Sequence, residues 1–385
     1  GVVTSRVGVA FINNFPGSSL GGGEVQLLAL LRGALPAGVS PHVIVARGSA
    51  LERAVGAIDG VDVLPVDFAI RDLRSLATTI AARLEDVEIV QGTGFLTNLI
   101  ARRVGDRTHS TVVNLVQVAP GASRLDGGRW ITGVLRNRLD RSSRGRVTRF
   151  VAVSHAVAVG LAATGVDSGL ITVIANGVDV DQLRRAASSV RRGAPSAAGP
   201  CVGFVGRLER IKGCELFIRA AARLAGDDPT MRFTIAGTGS RESAIRRLAN
   251  ALGVADRVEF LGYVESVPPV LAGLDVLVVP SLSEASSLIA MEALALGVPV
   301  IASDVGGLPE VVTHGENGLL VPPGDVEAIA SAVTRVVSDR EWARALGDAG
   351  ARRVEERFTV EKMVRGYLGL YRGLVSGGGG LCGSG

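Results

Sequence analysis

Lysine is nearly missing from this 385-residue sequence: Lys212 and Lys362 are the only two, and every other basic side chain is arginine. Aromatic residues make up 4%, and cysteine occurs three times, at Cys201, Cys214 and Cys382. An odd, widely spaced set of cysteines argues against a disulfide scaffold and for a reducing compartment, and it forms no metal-type cluster. The four histidines, His42, His109, His155 and His314, are scattered without ligand spacing, so no metal site is expected. No run of eighteen apolar residues escapes interruption by charge, glycine or proline, which excludes an evident membrane-spanning helix. The opening residues lead straight into a strand pattern without the regions of a secretory signal, and a cytoplasmic location is expected.

What is present is a globular balance of 47% hydrophobic and 20% charged residues. The length exceeds one ordinary core and implies two domains. A net charge of +4 is small for this size, and no nucleic-acid partner is expected. The wealth of Arg, Ala, Gly and Val resembles proteins of high-G+C bacteria. Six arginines lie between Arg136 and Arg149. They read as a solvated helix face and loop, with contact to anionic lipid, aided by Trp130, as the less favoured reading.

Along the chain, short β-branched runs alternate with helical patterns. Strands are expected at residues 7–12, 42–45, 61–66, 87–90, 111–116 and 149–153, with a helix beginning near Glu24. Residues 184–200 have no usable period and read as a linker. The alternation then restarts, with strands at 201–206, 231–236, 258–262, 275–280, 298–303 and 318–321. Apolar strands separated by helices indicate parallel sheets covered on both faces. The organisation expected is an amino-terminal Rossmann-like domain over 1–180, a linker over 181–199 and a second such domain over 200–358. A helix over 359–376 and a Gly-rich tail over 377–385 complete it. Ligands of such sheets sit beyond the carboxyl ends of the strands.

Several segments at those ends carry chemistry. Gly206-Arg207-Leu208-Glu209-Arg210-Ile211-Lys212-Gly213 follows a strand and opens a helix, where two cations and free N–H groups suit a diphosphate. Ser283-Glu284-Ala285-Ser286-Ser287-Leu288-Ile289-Ala290-Met291-Glu292 follows another strand. Its two carboxylates are hydrogen-bond acceptors for paired hydroxyls, as in ribose and hexose. Gly306-Gly307 and Asn317-Gly318 read mainly as turn formers. In the first half, Gly21-Gly22-Gly23-Glu24 reads as a loop or helix cap, because the spacing of a dinucleotide fingerprint is missing. Asp179-Val180-Asp181 imitates a metal motif, yet helix capping accounts for it.

Taken in order, these segments resemble glycosyltransferase family 4, retaining enzymes of the GT-B fold. The resemblance runs from Val173-Ile174-Ala175-Asn176-Gly177 through Gly206-Arg207, Lys212-Gly213, Ala236-Gly237-Thr238-Gly239 and Val279-Pro280-Ser281. It continues through Glu284 to Glu292, then Gly297-Val298-Pro299, Gly306-Gly307-Leu308-Pro309-Glu310 and Asn317-Gly318. It implies two Rossmann-like domains facing each other across a cleft. It also implies transfer of a hexose or N-acetylhexosamine from a nucleoside-diphosphate sugar, such as a UDP-sugar, to a hydroxyl. No metal and no cofactor beyond that co-substrate is implied.

By the same resemblance, Arg207 and Lys212 hold the diphosphate, Glu284 the sugar hydroxyls and Glu292 the ribose. Ser286, Ser287, Leu288 and Ile289 supply backbone donors, Gly239 lies at the donor, and Tyr263 and Val264 lie near the base. Gly21 and Gly22 would line the first-domain side, and the helix after residue 359 would return to that domain. Two departures stand out. The family commonly has Glu-Gly-Phe-Gly where this chain has Glu284-Ala285-Ser286-Ser287. A histidine usual near the fifth strand is missing, with Asn114 or Gln117 in its place. A small acceptor, such as a natural product or aminocyclitol, is the favoured expectation. A nucleotide-sugar 2-epimerase of the same fold and a lipid-directed, mannosyltransferase-like enzyme at a membrane surface are the alternatives.

Overall fold

The computed structural model describes residues 6–68, 73–117, 142–188, 190 and 199–377. They divide into two compact units, the first containing the described residues up to 176 and from 360 onward, the second those from 177 to 359.

The first unit has a seven-stranded, wholly parallel sheet. Its strands are β1 (Val7–Asn13), β2 (Val39–Ala46), β3 (Asp62–Val66), β4 (Ile89–Thr93), β5 (Thr111–Val116), β6 (Arg149–Ala152) and β7 (Ile171–Val173). They lie in the order β3-β2-β1-β4-β5-β6-β7. The second unit repeats the plan with β8 (Cys201–Val205), β9 (Arg232–Ala236), β10 (Val258–Gly262), β11 (Val276–Val279), β12 (Val300–Ser303) and β13 (Leu319–Val321). Their order is β10-β9-β8-β11-β12-β13.

The central strands are apolar throughout because helices cover both faces: all residues of β8, β11 and β12 are buried. Phe204, Phe217 and Phe233 meet in the second core at centroid distances of 5.8 and 6.3 Å. Chain order reverses between β1 and β4 and again between β8 and β11. At such a point the two following loops lead to opposite faces of the sheet and leave a crevice at the carboxyl ends.

Most expected strands lie within a residue or two of their observed bounds. The fourth is displaced, running to Thr93 through Gln91 and Gly92, which a periodicity rule rejects. Pairing decides here: Phe11 and Ile12 of β1 stand beside Gln91 and Gly92, and Gly92 pairs with Asn114 on the other side. Gln91 is buried because Tyr371 donates its hydroxyl to Oε1 at 2.8 Å. Strand β7 was not among the expected strands.

The stretch expected as a linker from residue 181 is helical as far as Ala187. Asp179 caps this helix by accepting from the Gln182 N–H (2.8 Å), which is the capping role expected of it. Val180, Leu183 and Ala187 form its buried face, against the helices Val267–Ala272 and Leu288–Ala295. The helix Val360–Gly377 groups with the first unit, where it packs on the helix Gly22–Ala34 and on β1. No helix among the described residues is long and apolar enough to cross a membrane.

Candidate functional site

All six strands of the second sheet are parallel, so the loops after them emerge along one edge in the spatial order of the strands. From the loop after β10 to the loop after β11 is three strand spacings, about 14 Å. Along that edge lie Tyr263 and Val264 after β10, Gly239 after β9, Arg207 and Lys212 after β8, and Glu284 to Ile289 after β11. Tyr263 is 64% exposed, so its ring face is open to solvent.

The switch point brings two of the expected residues into contact. Lys212 Nζ lies 2.5 Å from Glu284 Oε2, and the two side chains are 25% and 10% exposed. Ser281 donates its hydroxyl to the same carboxylate oxygen at 3.3 Å. The Leu282 N–H donates to the Ile211 carbonyl (2.8 Å), so the two loops are joined through their backbones as well. Gly213 ends the Lys212 turn at φ +70°, and a Cβ there would stand 1.9 Å from the Pro280 carbonyl oxygen. Only glycine fits that left-handed, crowded position. The Gly307 N–H holds the Glu284 carbonyl at 3.0 Å, and Gly306 leaves room for that carbonyl where any Cβ would strike it. The Gly306-Gly307 pair therefore has the structural use the sequence suggested.

Arg207 is exposed at the start of the same loop. Ser240 donates from its hydroxyl (2.6 Å) and N–H (2.9 Å) to Glu209, tying the β9 loop to the β8 loop. These bonds, with Arg207 and Arg241 nearby, hold the Glu209 carboxyl below the usual range. Ser287 caps the helix Leu288–Ala295 by accepting from the Ala290 N–H at 3.4 Å. The Ser286 hydroxyl is buried without a hydrogen-bond partner among the described residues.

Glu292 sits one turn into that helix, partly exposed and with no protein partner for its carboxyl among the described residues. Burial alone pushes its pKa up to about 7. A largely enclosed carboxyl without a protein donor among the described residues is chemically able to accept hydrogen bonds from hydroxyl groups.

In the first unit the outcome is divided. Gly21 precedes the helix Gly22–Ala34, and its N–H donates to Glu24 Oε2 at 3.2 Å, while Asn13 Nδ2 donates to Glu24 Oε1 at the same distance. The glycine-rich loop is thus a helix start, with Gly22 exposed. Asn114 does not face a ligand. It is fully buried, and with its amide oxygen turned towards Arg102 it accepts from the guanidinium Nε at 3.2 Å. Gln117 lies just beyond the end of β5. Its Oε1 would lie 2.5 Å from a Cβ on Gly23, which places it over the first turn of that helix. Of the two substitutes for the missing histidine, only Gln117 is at the carboxyl end of the sheet beside the helix start.

Gln117 also borders a small cavity of mixed lining, about 10 Å³, with Gln26, Gln91 and Asn176 on its polar side and Leu27, Leu115 and Met363 on its apolar side. Residue spacing offered no signal for this cavity, since its walls come from five separate segments. The three arginines of the basic run that are described are engaged within the protein. Arg144 donates to the Thr164 carbonyl (3.0 Å), Arg146 pairs with Asp106 (3.0 Å) and Arg149 donates to the Gly169 carbonyl (2.5 Å). Trp130, Arg136, Arg138 and Arg141 lie outside the described residues.

Comparison with known proteins agrees with this architecture. The family model described as "Glycosyltransferase Family 4" matches residues 20–182, and that described as "Glycosyl transferases group 1" matches residues 199–339. The two matches together extend over most of both units, and the chain belongs to this family of glycosyltransferases.

Among relatives, it is 39% identical over 220 residues to the D-inositol 3-phosphate glycosyltransferase of Rhodococcus jostii, covering 54% of this chain and 48% of that protein. It is 32% identical over 230 residues to the 2-deoxystreptamine glucosyltransferase of Streptomyces kanamyceticus, covering 58% and 59% respectively. The chain thus spans about half the length of the curated relatives it matches.

In fold it is similar to the Anabaena protein HepE solved with UDP, with a TM-score of 0.82 at 19% identity over 95% of this chain and 100% of that one. It is also similar to sucrose-phosphate synthase of Thermosynechococcus elongatus, with a TM-score of 0.80 at 22% identity over 97% and 100%. The two parallel-sheet domains are those of the GT-B fold.

Proposed function

We propose that this chain is a retaining, metal-independent glycosyltransferase that carries a hexose or N-acetylhexosamine from a UDP-sugar or similar donor to a hydroxyl of a small acceptor. The observation that carries this reading is the meeting of Lys212 and Glu284 at the β8–β11 switch point, a phosphate-binding cation beside a sugar-binding carboxylate. The linear order of the loops suits an elongated ligand. Tyr263 and Val264 take the base, Glu292 the ribose, Arg207 and Lys212 the diphosphate. Glu284 takes the sugar, and the N–H groups of Ser286, Ser287, Leu288 and Ile289 serve phosphate and sugar together. Gly239 allows close approach of the β9 loop.

The difficult step is breakage of the bond from the anomeric carbon to the diphosphate oxygen, whose electron pair leaves with the phosphate. Arg207 and Lys212, fixed where that negative charge develops, lower the barrier. The acceptor hydroxyl attacks from the face the phosphate leaves and gives its proton to a departing phosphate oxygen, so configuration is retained. Gly21, Gly22 and Gln117 are assigned to the acceptor side.

The acceptor class draws support from the relatives, whose names specify inositol 3-phosphate and 2-deoxystreptamine. Both are six-membered carbocycles bearing hydroxyl groups, and an aminocyclitol or related natural product fits this chain.

A thermal-shift screen of UDP-, GDP-, ADP- and TDP-sugars is the first test, because a bound ligand raises the unfolding temperature. Incubation of the stabilising donor with a cyclitol panel should then give a glycoside with the donor's anomeric configuration. An inverted product would overturn retention, and epimerised sugar formed without acceptor would overturn transfer.

A further inference from the structure

The contact that marks the donor site also occupies it. Lys212 is the cation assigned to the diphosphate, yet its ammonium is already bonded to Glu284, the carboxylate assigned to the sugar. Neither partner can leave the other without cost. Glu284 is 10% exposed, and a carboxylate that sheltered, stripped of its cation, is strongly disfavoured. Its backbone cannot retreat, being held by the Gly307 N–H on one side and crowded by Gly306 on the other. The Lys212 turn is equally fixed by Gly213 packed on the Pro280 carbonyl and by the Ile211–Leu282 hydrogen bond. Movement is therefore left to the two side chains, and the Ser281 hydroxyl at 3.3 Å is a single long hydrogen bond, too little by itself to satisfy the carboxylate.

We infer that the Lys212–Glu284 pair is an internal occupant of the donor site that discriminates an intact nucleotide sugar from the nucleoside diphosphate left after transfer. An intact donor compensates both partners, offering phosphate oxygens to Lys212 and sugar hydroxyls to Glu284. A bare nucleoside diphosphate compensates only Lys212 and leaves Glu284 sheltered and unpaired. Once the sugar has moved to the acceptor, re-formation of the pair opposes retention of the product. The pair thus favours donor over product and speeds product release. This inference rests on the donor-site reading given above.

The test is calorimetric titration of the wild type and Glu284→Gln with UDP and with a non-transferable UDP-sugar analogue, or with the nucleotide series selected by the thermal-shift screen. Glutamine keeps the shape and removes the charge. Glu284→Gln is expected to bind the bare nucleoside diphosphate about fivefold or more tighter than the wild type, and to lose most of the preference for the intact donor. In Lys212→Ala, adding Glu284→Gln should no longer tighten nucleotide binding.

Should Glu284→Gln not fold, Glu284→Asp, which withdraws the carboxylate by one methylene, is expected to shift both affinities in the same direction. Unchanged or weakened nucleoside diphosphate binding in a folded variant that still binds the analogue would overturn the inference while leaving the donor site intact. Absence of binding of every nucleotide to the wild type would instead overturn the donor-site reading and the inference with it.

Discussion

Two side chains, Lys212 and Glu292, carry most of the proposed reaction, for different physical reasons. In that proposal Lys212 acts as a point charge on a leaving phosphate. Lys212→Ala is expected to lower kcat by at least about a hundredfold, the scale of one preorganised electrostatic contact. Its melting temperature should also fall, because Glu284 is left sheltered without its cation, so turnover is compared at a temperature where the variant is fully folded. Wild-type turnover by that variant would remove the phosphate assignment.

Glu292 is governed by burial, which pushes its pKa from 4.5 up to about 7. Between those values the unfolded chain has released this proton while the folded protein keeps it. Stability from this group is therefore full below about pH 4.5 and declines as pH rises towards 7. Glu292→Gln removes the titration, so its stability relative to the wild type should increase from pH 5 to pH 7 and level off above. Urea unfolding across that range reads the difference. Nucleotide affinity should show the opposite linkage. In its proposed role the ionised carboxylate accepts two ribose hydroxyls, so wild-type affinity should improve with rising pH through 7 by more than the affinity of the variant does.

At the scale of an element, the turn from β8 into the helix Cys214–Asp227 brings Lys212 within reach of Glu284. Gly213→Ala meets both a left-handed φ and a carbonyl oxygen 1.9 Å from the new Cβ. A cost of about 1–3 kcal/mol in unfolding free energy is expected, with weaker donor binding as the loops separate. Equal stability in denaturant titration would show that the turn relaxes without strain.

The turn was legible beforehand, since a glycine between a strand and a helix start reads as a turn whether the neighbouring Arg and Lys hold phosphate or are ordinary surface cations. The placement of the polar residues of the first unit was not. Asn114 and Gln117 are three residues apart and equally polar, and spacing alone does not say which is consumed inside the protein. The end of β5 between them and the buried guanidinium of Arg102, contributed by the helix Phe95–Thr108, separate them. The helix Val180–Ala187 was hidden for a related reason. Its Arg- and Ala-rich composition reads as linker until Val180, Leu183 and Ala187 find other helices to cover them.

At the scale of the whole molecule, the last described helix completes a core begun more than three hundred residues earlier. Tyr371 is 1% exposed, packs edge-on to Phe11 at 6.4 Å, and donates to Gln91 in the centre of the first sheet. Tyr371→Phe keeps the ring and leaves the Gln91 oxygen without its donor, which is expected to cost about 1–3 kcal/mol. Tyr371→Ala adds a cavity, and about 3–5 kcal/mol is expected. Denaturant unfolding followed in the first unit checks both, and indifference to Tyr371→Ala would show that the helix is dispensable there.

Periodicity and composition were enough to indicate two parallel α/β units, and the resemblance to a known family picked out the ordered motifs on the second. Buried strands, glycine turns and caps are local consequences of residue type, readable without neighbours. Which motif residues touch was decided elsewhere. Parallel strands in switched order deliver Lys212 and Glu284, seventy-two positions apart, to one crevice, and pairing on both sides draws Gln91 into a core that its polarity alone would refuse. Contacts of that kind depend on strand order and on burial by distant segments, and these exist only once the chain has folded.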